Sequence, residues 1–135
     1  MRKKTFVIKS RPKNLKILRR QLKSFLVKTR FSAKDKWRFL VAITEACTNS
    51  IRHAYKGKSS GVIRIQVCDQ KDRILFRIRD YGVKIDPRRI RNPSLPKKKP
   101  HGLGLFFLRK IMDEFYYRTD HKKGNEIFLV KHKRS

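Results

Sequence analysis

The stretch that decides the fold is Trp37–Tyr55, WRFLVAITEACTNSIRHAY. Its periodicity predicts one long helix with two working faces. Trp37, Leu40, Val41, Thr44, Cys47, Thr48 and Ile51 recur at three- and four-residue steps, which predicts an apolar packing stripe. Glu45, Asn49 and His53 are four apart and stack along a second stripe. A carboxylate, an amide and an imidazole in one row can together touch a metal ion, a phosphate or a water. The same row also suits a solvated face closed by an i,i+4 hydrogen bond, so this helix alone leaves both uses open.

Upstream, Lys4–Lys9 alternates, with Phe6 and Ile8 on one side and Thr5 and Val7 on the other, which predicts a short strand. Pro12 then opens a helix over about Lys13–Lys28. Leu15, Leu18, Leu22, Phe25 and Leu26 form its apolar face, which suits the cover of a sheet better than a membrane surface. Ser32 and Asp35 have the spacing of a capping box and start the central helix near Ala33.

Downstream, Lys56–Gly61 is a turn by composition, and two alternating strands follow, Val62–Asp69 and Arg73–Asp80. The link Gln70-Lys71-Asp72 makes them a hairpin. Tyr81–His101 is a long loop with four prolines and the run Lys97-Lys98-Lys99, and loops of that length in small domains usually serve function. Gly102-Leu103-Gly104-Leu105 enters an apolar helix, about Leu103–Glu114. Phe115–Asp120 and Glu126–Lys131 then pair across a turn at His121–Asn125. Strand, helix, helix, hairpin, loop, helix, hairpin predicts an α+β two-layer sandwich in a single domain, residues 1–135. Its mainly antiparallel or mixed sheet is covered on one face by three helices.

Composition bounds the function. At 135 residues with 39% hydrophobic residues the chain can bury a core, and no apolar run is long enough for a membrane span. Without a signal-peptide pattern at the N-terminus, a cytoplasmic protein is expected. Cys47 and Cys68 sit in apolar-periodic segments and read as buried, reduced thiols. The formal net charge of +28 attracts polyanions: nucleic acid, ATP, acidic proteins, anionic lipid. The cations are spread along the chain, so a general basic bias of the source proteome accounts for them equally.

Three polar elements can converge: Glu45/Asn49/His53, Asp80-Tyr81-Gly82 at a strand end, and His101-Gly102-Leu103-Gly104 at a helix start. A nucleotide site needs such a set. Glycines let backbone N–H groups approach phosphate at a helix N-terminus. Lys97, Lys98 and Lys99 can close over phosphates as point charges. The Asp80 carboxylate can accept from the exocyclic amine of adenine, and the Asn49 amide oxygen is a hard ligand suited to Mg²⁺. Glu45, one turn earlier, is placed to act as a base in phosphoryl transfer.

In these residues the chain resembles the GHKL (histidine-kinase-like) ATPase superfamily, and within it the compact serine/threonine kinases that act as anti-sigma factors. TEACTNSIRHAY resembles that family's N-box, IRDYGVKID its D-x-G-x-G-I box, and HGLGLFFLRKIMDEFYY its G-L-G-L box and helix. The resemblance covers about Phe31 to His132. The N-box is its most specific part, because histidine kinases proper usually lack that Glu placement. It implies Glu45 as catalytic base, Asn49 as Mg²⁺ ligand and Asp80 as reader of adenine. It also implies a pocket lined by His53, Gly82, Lys84, His101, Gly102, Leu103, Gly104 and Leu105. Residues about 92 to 101, within a loop of about 86–101, would form the ATP lid. It implies further a homodimer that binds a sigma factor and phosphorylates an antagonist protein, releasing the sigma factor.

Two positions depart from the family pattern. Lys84 replaces the second glycine of D-x-G-x-G, so the backbone there has to avoid the left-handed region, unless Lys84 is strained or adds a phosphate contact. Asn125-Glu126 replaces a Thr, which removes a hydroxyl expected beside Asp80. These departures motivate a second reading, a protein-sequestering module of the same fold with weak or no turnover. The charge motivates a third, a nucleic-acid-binding domain, which no binding motif supports.

Overall fold

Among the described residues, alternation of apolar and polar residues builds five strands: β1 (Arg2–Lys9), β2 (Val62–Asp69), β3 (Arg73–Asp80), β4 (Glu114–Arg118) and β5 (Glu126–His132). They hydrogen-bond in the order β1-β2-β3-β5-β4, and every neighbouring pair is antiparallel. The computed structural model describes residues 1–86, 110–118 and 120–134. Two helices precede the β2–β3 hairpin, α1 (Asn14–Leu26) and α2 (Ala33–Asn49), and α2 continues into a π-helical turn, Ser50–Ala54.

The register places Phe6, Ile65, Ile78 and Ile127 across one face of the sheet, with Val67, Phe76 and Leu129 beside them. These residues form one core with Leu15, Leu18, Leu22, Phe25 and Leu26 of α1. Truncating one such buried Leu to Ala costs about 2–5 kcal/mol. The α+β sandwich is therefore the expected one, with α1 and α2 on one face of an antiparallel sheet. The third expected helix falls mostly outside the described residues.

Three details differ from the sequence reading. The buried face of α2 is Phe39, Ala42, Ile43, Ala46 and Cys47, joined by Ile51, not the stripe through Trp37 and Val41. Phe39 anchors it, edge-on to Phe31 at 5.0 Å and 5.2 Å from Phe76, while Ala42 and Ala46 let the helix approach the sheet. Trp37 is 60% exposed. Thr44 and Thr48, expected in the stripe, are only half-buried and return their hydroxyls to Leu40 O and Thr44 O.

The second difference is the π turn, in which Tyr55 N–H donates to Ser50 O five residues back. His53 is exposed on this turn. The third is at Glu114, which opens β4 instead of closing a helix. Lys110 and Ile111 are the last helical residues, and Asp113 is already tied to β5, its N–H to Val130 O and its carboxylate to His132 N–H.

Candidate functional site

Ser32 starts the helix that carries the site: its hydroxyl accepts from Asp35 N–H at 3.1 Å, as the capping-box spacing predicts. On α2, Glu45 is half-buried and Asn49 is buried at 3% exposure. Burial raises the Glu45 carboxyl above its ordinary value, and the charge of Arg52 opposes part of that rise. Among the described residues, neither the oxygen nor the nitrogen of the Asn49 side chain has a hydrogen-bond partner. A buried unpaired amide costs about 1–3 kcal/mol, so this one calls for a partner that an ordered water, an ion or a ligand would supply. His53 lies on the exposed side of the π turn.

Asp80 ends β3 with its side chain buried at 1% exposure. Its Oδ2 accepts from the Ser50 hydroxyl at 2.8 Å. Its Oδ1 accepts from Gly82 N–H at 3.2 Å, from Asn125 N–H at 3.1 Å and from the Asn125 side-chain amide at 3.0 Å. Burial pushes the Asp80 pKa above its ordinary value, and these hydrogen bonds hold part of it back. One lone pair of Oδ2 remains for an incoming donor.

The chain beyond Asp80 is shaped by close approaches. A Cβ on Gly82 would collide with the Ala54 carbonyl at the end of the π turn, where Val83 N–H donates at 2.8 Å. Gly124, in the β4–β5 turn, has φ +80° and packs so tightly on the Asp80 carbonyl that no side chain fits. Tyr55 closes the same corner: its hydroxyl accepts from Tyr81 N–H at 2.8 Å and from Val62 N–H at 3.2 Å.

The two departures from the family pattern are accommodated. Among the described residues the one non-glycine with positive φ is Lys56, so Lys84 adopts an ordinary backbone conformation. Asn125 donates to Asp80 where the family pattern led to the expectation of a lost hydroxyl. Glu126 points to the other face of the sheet, where Arg77 donates to it at 2.7 Å and His121 lies 2.9 Å away.

Among the expected site residues, Glu45 and Asn49 lie one turn apart on α2, and Asp80 and Gly82 lie where the chain leaves β3. The expected Lys97, Lys98, Lys99, His101, Gly102, Leu103, Gly104 and Leu105 lie outside the described residues. Sequence reasoning did not assign Ser50, Tyr55 or Gly124 to this corner, and it read Asn125 as the loss of a donor to Asp80. Cys47 and Cys68 are buried free thiols, and burial pushes the Cys47 thiol up to about 12, far from a nucleophile. Among the described residues no helix is long and apolar enough to cross a membrane.

Comparison with known proteins agrees with this geometry. The profile of the histidine kinase-like ATPase domain matches residues 8–131. The chain is 31% identical over 124 residues to the serine-protein kinase RsbW of Bacillus cereus (strain AH187), covering 86% of this chain and 76% of that protein. It is 31% identical over 94 residues to the anti-sigma F factor of Geobacillus kaustophilus, covering 67% and 64%. Among solved structures, the RsbU and RsbW domains of a Mycobacterium tuberculosis protein superpose with a TM-score of 0.67 at 14% identity. That match takes in 97% of this chain and 32% of the other. The catalytic domain of the histidine kinase ThkA shares the fold with a TM-score of 0.60 at 18% identity, covering 98% of each chain. The chain belongs to the histidine kinase-like ATPase family, in its branch of anti-sigma serine kinases.

Proposed function

We propose that this chain is a protein serine/threonine kinase that uses ATP with Mg²⁺, binds a sigma factor and phosphorylates an antagonist of the anti-sigma factor. It acts as one cytoplasmic domain, residues 1–135, in a homodimer. The observation that carries the reading is Asn49, a buried amide with both polar atoms unpartnered, one turn from a half-buried carboxylate of raised pKa. The names of its relatives, serine-protein kinase and anti-sigma F factor, support the partner classes.

The residues fit Mg²⁺. The Asn49 oxygen is a hard donor without a protein partner. Among the described residues no three His, Cys, Asp or Glu side chains gather into a metal cage. A shell completed by phosphate oxygens and water is the one Mg²⁺ prefers. When bound, the ion supplies neutralisation of the phosphate charge.

The chain's own groups do the rest. Asp80 accepts from the exocyclic amine of adenine through the open lone pair of Oδ2. Glu45 takes the proton of the acceptor Ser or Thr hydroxyl. That oxygen forms a bond to the γ-phosphorus, the bond from phosphorus to the bridging oxygen breaks, and ADP leaves with the electron pair. A carboxylate raised by burial is a better base near neutral pH than an exposed one.

The test is transfer of labelled γ-phosphate from Mg-ATP to a candidate antagonist, with Glu45→Gln beside wild type. Removing a general base is expected to slow transfer by about 10²–10⁴-fold while ATP still binds. If wild type binds no ATP by calorimetry and transfers no phosphate, the kinase reading falls. The sequestering module without turnover loses both of its motives, because Lys84 is unstrained and Asn125 restores a donor to Asp80.

A further inference from the structure

The Asn125 side chain donates twice, where the hydroxyl it stands in for could donate once. Its side-chain nitrogen donates to Asp80 Oδ1 at 3.0 Å and to the Val83 carbonyl at 2.9 Å. Its side-chain oxygen accepts from Ile85 N–H at 2.7 Å. Both amide hydrogens and the carbonyl are therefore engaged. The partners also dictate its orientation, since a flipped amide would set oxygen against two acceptors and N–H against N–H. Its backbone pairs with that of Asp80, N–H to carbonyl in both directions, at 2.9 and 3.2 Å.

We propose that Asn125 is a positioning residue for nucleobase selection: its amide fixes Asp80 and clamps residues 83–85, holding the loop around Lys84 in shape without a second glycine. The inference rests on the nucleotide reading above. A threonine hydroxyl has one hydrogen, so it can donate to Asp80 or to the Val83 carbonyl but not to both. The amide serves Asp80 and the loop at once. With Oδ1 held by three donors and Oδ2 by Ser50, the carboxylate cannot rotate, and its open lone pair faces one direction. A fixed acceptor discriminates between bases, because a base with a carbonyl in place of the amine meets a carboxylate that cannot turn away.

The experiment compares ATP with inosine triphosphate, which carries a carbonyl where adenine carries the amine. Calorimetry on the full chain gives the ratio of the two dissociation constants. Wild type is expected to favour ATP, and Asn125→Ala to lose about tenfold or more of that preference, the size of one hydrogen bond to a charged group. A general loss of stability weakens both ligands alike and leaves the ratio in place. If Asn125→Ala does not fold, the near-isosteric pair Asn125→Thr and Asn125→Val carries the same comparison. Thr restores a donor to Asp80 and should keep the ratio within about threefold of wild type, whereas Val should lose it. An unchanged ratio in Asn125→Ala, or equal ratios in Thr and Val, overturns the proposal while leaving the nucleotide site intact. A wild type that binds neither nucleotide overturns the site reading itself, and the proposal with it.

Discussion

Two polar side chains at the site are equally buried and oppositely furnished. Asp80, at 1% exposure, accepts four hydrogen bonds from Ser50, Gly82 and Asn125. Asn49, at 3% exposure, has none on either side-chain atom. Ser50 joins them, adjacent to one in sequence and bonded to the other. Asp80 is held in place before any ligand arrives, with one lone pair of Oδ2 left open, so it can act as a rigid reader of one donor. Asn49 is incomplete, so its burial is compensated only when something enters. Rigidity set in place before binding favours a base-reading contact, whereas a metal contact is favoured by a group that has no competing partner.

Replacing Asn49 tests the contrast most severely. In Asn49→Leu the unpaired amide disappears, so the ligand-free protein should become more stable by about 1–2 kcal/mol. Transfer of phosphate from Mg-ATP should fall on the order of a hundredfold, the scale of one lost preorganised electrostatic contact. Urea unfolding and a radiolabel assay read the two effects, which have opposite signs. A variant that loses stability would mean that Asn49 is a satisfied structural residue, and the comparison with Asp80 would collapse.

Protonation separates Asp80 from a carboxylate built for stability. Asp80 is raised by burial, so the folded state holds its proton more tightly than the unfolded chain does. Its contribution is present below the ordinary value of 3.8 and is lost as pH rises through the folded value. Glu126 runs the other way. Burial alone would raise it, but hydrogen bonds from His121 and Arg77, aided by their charges, leave it below its ordinary value of 4.5. Its contribution is present above that value and lost as pH falls through the folded one. Thermal melts between about pH 3 and 7 should therefore diverge. Relative to wild type, Asp80→Asn gains as pH rises and Glu126→Gln gains as pH falls. Parallel profiles for the two variants would remove the distinction between a strained and a relaxed carboxylate.

What was readable in the chain was local. Alternation found β2 and β3 with their observed bounds, the Ser32/Asp35 spacing found the start of α2, and the i,i+4 spacing set Glu45 and Asn49 one turn apart on that helix. The contacts that finish Asp80 come from Ser50 and Asn125, 30 and 45 residues away. No periodicity carries such pairings. Asn125 read as a departure that removed a donor, because a residue's type shows its hydrogen-bonding capacity but not the partner that three dimensions supply. The π turn has no sequence marker either. Ala54, its last residue, packs against Gly82.

The last contrast turns on the smallest displacement, the phase of α2, and the burial of Asn49 depends on it. At about 100° per residue, a helix resting on Trp37, Val41 and Thr44 would turn Asn49 to the solvent side, where an unpaired amide costs nothing. The observed helix rests on Phe39, Ile43 and Ala46. That phase sets Asn49 about 80° from Phe39, on the flank of the buried face. Two aromatic residues two positions apart report which phase holds. Phe39→Ala should cost about 3–5 kcal/mol, because it empties the space between Phe31 and Phe76. Trp37→Ser, at a side chain 60% exposed, should change stability by less than about 0.5 kcal/mol. Reversed costs in denaturant melts would rotate the helix, return Asn49 to water, and remove the reason to regard its amide as waiting for a ligand.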